Sequence, residues 1–168
     1  TIPVFLREDK GQRKAEPTAI AFVVQGRVTA ASAEWQDVTA IRGSSTPDYD
    51  GDGDVTEGVA GEIVTLRAAL YDIIQGYADA NGFPIIYSSS AYPYFFIDTN
   101  ANGEVDPGEA IFPNQYASWT VNLLQAAYNY QYAAKDPGGY AHNPAYLIQL
   151  LYDSIEALGG DVSGFTRP

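Results

Sequence analysis

Two stretches of this chain place oxygen-bearing side chains and glycine at the spacing that calcium coordination requires. In Asp98-Thr99-Asn100-Ala101-Asn102-Gly103-Glu104-Val105-Asp106-Pro107-Gly108-Glu109, acid or amide oxygens stand at positions 1, 3 and 5, Gly103 at 6 and Glu109 at 12. This is the EF-hand loop pattern, in which a hard cation gathers oxygens, a glycine permits the sharp turn and a final glutamate closes the site with two oxygens. Glu104 supplies a backbone carbonyl, and Asp106 an oxygen directly or through water. Asn100 and Asn102 replace carboxylates, which lowers the charge count and predicts modest affinity.

The second stretch, Asp48-Tyr49-Asp50-Gly51-Asp52-Gly53-Asp54-Val55-Thr56-Glu57, opens with the same D-x-D-x-D-G but has Val59 at its twelfth position. Asp48, Asp50, Asp52 and Asp54 are its expected ligands. The closing acid must come from elsewhere, and Glu57 and Glu62 are the candidates, Glu62 projecting from the first turn of a following helix. The expectation is about two Ca2+ ions, one per loop. Magnesium suits either loop less well, because it prefers few protein ligands and several waters.

Other chemistry is poorly represented. The chain contains no cysteine, which excludes disulfides, thiolate metal sites and c-type haem attachment, so no haem is expected. It has no G-x-S-x-G, P-loop or H-E-x-x-H motif. Paired carboxylates of a hydrolase remain open on sequence alone, since any two acids can meet in space, but the acids here gather in the loops and no enzyme is expected. The net charge of −12 argues against nucleic acid and against an anionic membrane surface, both of which select clustered Lys and Arg. No apolar run approaches the ~18 residues of a membrane span, and no signal segment stands at Thr1. Weak calcium loops suit the millimolar calcium outside a cell, so an extracellular or cell-surface location is expected, with any signal peptide already removed.

The elements that must position these loops form an α+β pattern. Residues 1–45 read as a β-rich N-terminal segment, with strands at Ile2–Leu6 and Ala19–Val28 and a third at Trp35–Ile41. Residues 46–168 read as a helical calcium-binding domain with a three-helix core. Ile63, Leu66, Leu70, Ile73, Ile74 and Tyr77 fall on one helical face, and Asn81-Gly82 ends that helix in the left-handed manner. Short strands follow at Pro84–Tyr87 and Tyr94–Ile97, the second leading into Asp98. Tyr116–Ala133 reads as a central helix with Trp119, Leu123, Ala126, Ala127 and Tyr130 on one side and Val121, Leu124, Tyr128 and Tyr132 on another. Asn143 and Pro144 begin the last helix, with the stripe Leu147, Ile148, Leu151, Ile155 and Leu158, and Gly159-Gly160 stops it.

Several strings recur in order: Asp98–Glu109, Trp119-Thr120, Ala126–Gln131, Lys135–Pro144 and Gln149–Ile155. Together with Asp48–Glu62 they resemble a segment of extracytoplasmic multihaem c-type cytochromes, a C-terminal part bearing EF-like loops that follows the haem-binding region. The resemblance covers roughly residues 45–160 and implies a secreted, calcium-bound scaffold without the haem domain. This chain departs from the family in lacking C-x-x-C-H, so electron transfer is not carried over. His142, its single histidine, reads either as the vestige of a haem-facing residue or as a group tying the Tyr140–Pro144 turn to the core.

The functional expectation is a non-catalytic, secreted, calcium-binding structural protein that assembles with itself into an oligomer or filament. The apolar run Ile2–Leu6 provides the means, because such a strand must pair either within its own chain or with a neighbouring copy, and the second would link copies. The alternative is an accessory electron-transfer subunit that docks a haem-bearing cytochrome partner.

Overall fold

The computed structural model describes residues 38–40 and 47–168. The strands expected at Ile2–Leu6 and Ala19–Val28, and almost all of the segment 1–45, lie outside the described residues. Within the third expected strand, Val38–Ala40 is instead one turn of 3-10 helix. It packs on the start of the first long helix, where Gly58 leaves room for it: a Cβ there would lie 1.9 Å from the Thr39 carbonyl oxygen.

Helix α1 spans Val59–Ala80 and buries Ile63, Leu66, Leu70 and Ile74 along the expected stripe. Ile73 and Tyr77, at the edges of that stripe, pack against the core while half-buried. The helix ends as expected. Gly82 takes a φ of 77°, and the Phe83 amide donates to the Ala78 carbonyl at 3.0 Å, closing the last turn in a Schellman arrangement.

The chain then forms a two-stranded antiparallel sheet, β1 (Ile85–Tyr87) and β2 (Phe95–Ile97), in the register Ile85↔Ile97, Ile86↔Phe96 and Tyr87↔Phe95. Two features place the second loop. The Asp98 amide donates to the Pro84 carbonyl at 3.1 Å, extending the ladder by one residue. On the other edge of β2, Phe96 bridges to Gln115, and the Tyr116 amide donates to Phe95 at 3.0 Å. The loop therefore leaves and returns on the same strand.

That return corrects the expected helix at Tyr116. Tyr116 is committed to β2, the Trp119 indole N–H donates to the Tyr116 carbonyl at 3.1 Å, and α2 begins only at Val121 and runs to Lys135. Thr120 is its N-cap, accepting the Leu123 amide on its hydroxyl at 3.2 Å. The expectation that α2 is buried on two sides is also corrected. Leu123, Ala126 and Ala127 are buried, whereas Val121 is 73% exposed and Leu124, Tyr128 and Tyr132 are exposed as well.

A single turn, α3 (Gly139–His142), precedes α4 (Pro144–Ala157). Pro144 occupies the first turn of α4, but Asn143 makes no side-chain capping bond. The α4 stripe is buried as expected, and the Gly160 amide closes the helix on Ile155 at 2.9 Å. Helices α1, α2 and α4 pack pairwise, and Asn129 of α2 donates to the Ser154 hydroxyl of α4 at 2.9 Å. The mixture of helices with a small sheet agrees with the expected α+β class.

Candidate metal centres

The second loop is ordered around Asp98, which is buried at the end of β2. Its Oδ2 accepts the Gly103 amide at 2.7 Å, and its Oδ1 accepts those of Asn100 and Asn102, each at 3.3 Å. Gly103 has a φ of 80°, the left-handed conformation that position 6 demands. Glu109 is buried and closes the loop on itself. Its Oε1 accepts the Thr99 amide at 2.8 Å and also the Thr99 hydroxyl, while its Oε2 accepts the Asp106 amide at 3.0 Å. These bonds, led by the Thr99 hydroxyl, hold the Glu109 carboxyl below its usual range.

The interior of this loop is filled by amide groups. Asn100 Nδ2 and Asn102 Nδ2 donate to Asp106 Oδ2 at 2.7 and 2.9 Å. Their carbonyl oxygens accept the amides of Asn102 and Glu104. A cation would take the place of those N–H groups, with each amide turned so that oxygen faces inward. The Glu104 side chain is exposed. Gln75 of α1 braces the loop from outside, donating to the Gly103 carbonyl at 2.9 Å.

The first loop repeats the opening of the second. Asp48 Oδ2 accepts the Gly53 amide at 3.0 Å, as Asp98 accepts Gly103, and Asp48 Oδ1 accepts the Gly51 amide at 2.7 Å. Of its two candidate closing acids, Glu62, on the first turn of α1 and 0% exposed, grips the start of the loop. Glu62 Oε2 accepts the amides of Tyr49 and Asp50 at 2.8 and 2.9 Å, a grip equivalent to that of Glu109 on Thr99. A negative group at this position also complements the N-terminal dipole of the helix.

Carboxylate oxygens of Asp48, Asp50 and Glu62 converge within 4.8 Å of one another, and so do those of Asp50, Asp52 and Glu57. Asp54 stands outside both groups and accepts the Thr56 amide and hydroxyl at 2.8 and 2.6 Å. Burial pushes the Asp50 carboxyl above its usual range, and the charges of Glu62 and Asp52 add to this, while the Asp52 amide and Thr65 hydroxyl oppose it. Glu57 is pushed up to about 7, by desolvation first and then by Asp50, Glu62, Asp52 and Asp54. Like charges held this close disfavour full ionisation, and a divalent cation reverses that balance.

The C-terminal tail covers this loop. The Thr166 amide donates to the Tyr49 carbonyl at 2.9 Å. Gly51, at a φ of 72°, lies so close to Gly164 that a Cβ would come within 1.9 Å of its carbonyl oxygen. The contributions of Gln75, Thr99 and the tail carry no signature in either loop's own spacing. His142 lies apart from both loops. Its ring is 60% exposed, with Nε2 3.1 Å from Asp136 Oδ1, so it ties the Asp136–Gly138 turn and not the core.

These features define an α+β domain with two acidic loops, one anchored on a helix and one on a sheet. No family model matches the chain, and no solved structure matches it. Curated polyheme cytochromes of Geobacter sulfurreducens do. The C-type polyheme cytochrome OmcC is 43% identical over 75 residues, covering 40% of this chain and 10% of that protein. The C-type polyheme cytochrome OmcB matches with the same identity and coverage. The chain thus aligns over about a tenth of the length of these relatives. A region of this chain is related to a region of polyheme cytochromes. With no cysteine, the chain has no thiol for c-type haem attachment. Among the described residues, no helix is long and apolar enough to cross a membrane.

Proposed function

We propose that this chain is a non-catalytic structural module held together by calcium and working outside the cell. One observation carries the reading: each loop is closed by a buried glutamate that grips the backbone at the loop's own start, Glu109 on Thr99 and Glu62 on Tyr49. A glutamate fixed at that point is placed to turn an oxygen toward a hard cation in the loop. The ligands are Asp48, Asp50, Asp52, Glu57 and Glu62 in the first loop, with Asp54 at its edge, and Asp98, Asn100, Asn102, Glu104, Asp106 and Glu109 in the second. The relationship to polyheme cytochromes supports an extracellular setting, in which millimolar calcium fills sites of modest affinity.

An ion that binds the folded form alone stabilises it by about 2.7 kcal/mol per site at a hundredfold excess over Kd. For a chain of this size that corresponds to about 5–10 °C in Tm. Thermal unfolding in 1–2 mM calcium (roughly the extracellular level) and in EGTA tests the reading. A Tm that EGTA leaves unchanged would refute it.

The structural role includes self-association into an oligomer or filament through the apolar N-terminal run Ile2–Leu6, which is able to add a strand to a neighbour. Deleting residues 1–10 should abolish assembly seen by light scattering and electron microscopy. A second reading, an accessory electron-transfer subunit docked to a haem-bearing cytochrome, is motivated by the 43% identity to a stretch of OmcC. Co-purification of a C-x-x-C-H protein, with its haem spectrum, would favour that reading over the first.

A further inference from the structure

We propose that the Asp48–Glu62 loop holds two divalent cations bridged by the carboxylate of Asp50. The inference rests on the calcium reading above and deepens it, since that reading needs only one ion in this loop.

The two acidic groups of this loop share a single residue. Asp48, Asp50 and Glu62 form one, and Asp50, Asp52 and Glu57 form the other, each with ligand atoms within 4.8 Å of one another. Glu57 and Glu62 are therefore not alternatives for one closing position. They stand in separate groups, and Asp50 is common to both.

Asp50 is built for this role. It is only 4% exposed, and its Oδ1 accepts the Asp52 amide at 3.2 Å. Its Oδ2 is buried with no hydrogen-bond partner. A buried carboxylate oxygen left in that state is costly, because no hydrogen bond of full contact geometry offsets its desolvation. A bridging carboxylate gives one oxygen to each cation, which satisfies that oxygen.

The position of Glu57 is a second, independent observation. Its side chain folds back over the start of α1 at Gly61, where a Cβ would come within 1.8 Å of Glu57 Oε2. Any larger residue at 61 would displace this carboxylate from the group it forms with Asp50 and Asp52. Gly61 has no turn to make, since it lies within α1. The missing side chain there leaves space for the Glu57 carboxylate.

Charge leads to the same count. Five carboxylates belong to the two groups. A single divalent ion would leave three of their charges uncompensated, whereas two ions leave one. Calcium is the cation of choice because the donors are hard oxygens in a flexible loop, and carbonyls and water complete each shell. Each Asp48 oxygen accepts one backbone N–H and retains a further lone pair for the metal; Glu62 Oε2 accepts two, so Glu62 would bind through its other oxygen.

Equilibrium dialysis of the full chain against millimolar calcium, followed by elemental analysis, tests the proposal. Three ions per chain are expected, two in this loop and one in Asp98–Glu109. Glu57→Gln should lower the count to two, with an unchanged far-UV circular dichroism spectrum, and Glu109→Gln should lower it independently by one. Energy transfer between Tb3+ and Eu3+ bound together to the unaltered chain gives a readout that no folding defect affects, and it should be efficient. Two ions per chain, with a count indifferent to Glu57→Gln and no efficient transfer, overturn the bridged pair and leave the calcium reading intact. A chain that retains no calcium at all overturns both.

Discussion

Glu62, on the first turn of α1, reaches back to Asp50, whose amide donates to Glu62 Oε2 at 2.9 Å. The pair joins the helix to the loop before it, and with the Tyr49 amide at 2.8 Å it makes Glu62 the anchor of the first loop. Glu62→Ala removes the acceptor of two amides together with a ligand of the proposed calcium site. A loss of about 3–5 kcal/mol is expected in calcium, read from urea unfolding. Glu62→Gln retains an oxygen acceptor and should cost less.

The metal-free protein should lose stability as pH rises. Glu57 sits near 7 in the folded chain against 4.5 ordinarily, so the folded form binds its proton more tightly than the unfolded form does. Its contribution is fully present below pH 4.5 and is lost as pH climbs through about 7. In EGTA, the urea midpoint should fall between those limits. Saturating calcium should flatten or reverse the slope, because the cation favours the ionised acid. A midpoint in EGTA that rises over this range would contradict the assignment.

Gly51→Ala should release the C-terminal tail. The substitution meets the Gly164 carbonyl at 1.9 Å and also strains a backbone at a φ of 72°. A destabilisation of about 1–3 kcal/mol is expected. Limited proteolysis should cut the tail after residue 160 faster than in the parent chain. Gly53→Ala, where a Cβ meets nothing within 4 Å, separates the clash from the strain, since it bears the left-handed backbone alone.

In the second loop, Asn100→Asp should pull stability and affinity apart. The Asn100 amide now donates to Asp106 at 2.7 Å, and a carboxylate there would repel it instead. Unfolding in EGTA should become easier. Calcium affinity measured by titration calorimetry should rise by about tenfold, because affinity in such loops follows the ligand charge count.

Neighbouring leucines on α2 should behave oppositely. Leu123 is buried and Leu124 is exposed. Leu123→Ala should cost about 2–5 kcal/mol, while Leu124→Ala should stay within about 0.5 kcal/mol. Equal losses at both positions would mean that the outer face of α2 is covered in solution.

Much of this arrangement was legible in the chain itself. Calcium ligands in such loops are local, so the spacing of Asp98, Asn100, Asn102 and Glu109 is readable without a fold. The stripes of α1 and α4 are equally plain, because each helix has one apolar face and a glycine just past its end. On α2 the sequence alone could not choose a face, since apolar residues stand on both sides. Packing against α1 and α4 chose Leu123, Ala126 and Ala127, and pairing with β2 withheld Tyr116 from the helix. Glu57 and Glu62 were both visible as acids, but their separate places depend on a helix that starts at Val59 and on the space at Gly61. Sequence spacing thus determined which oxygen-bearing side chains share a loop. Tertiary structure decided how their carboxylates are shared, because Asp50 meets both groups only when the start of α1 is folded against the loop.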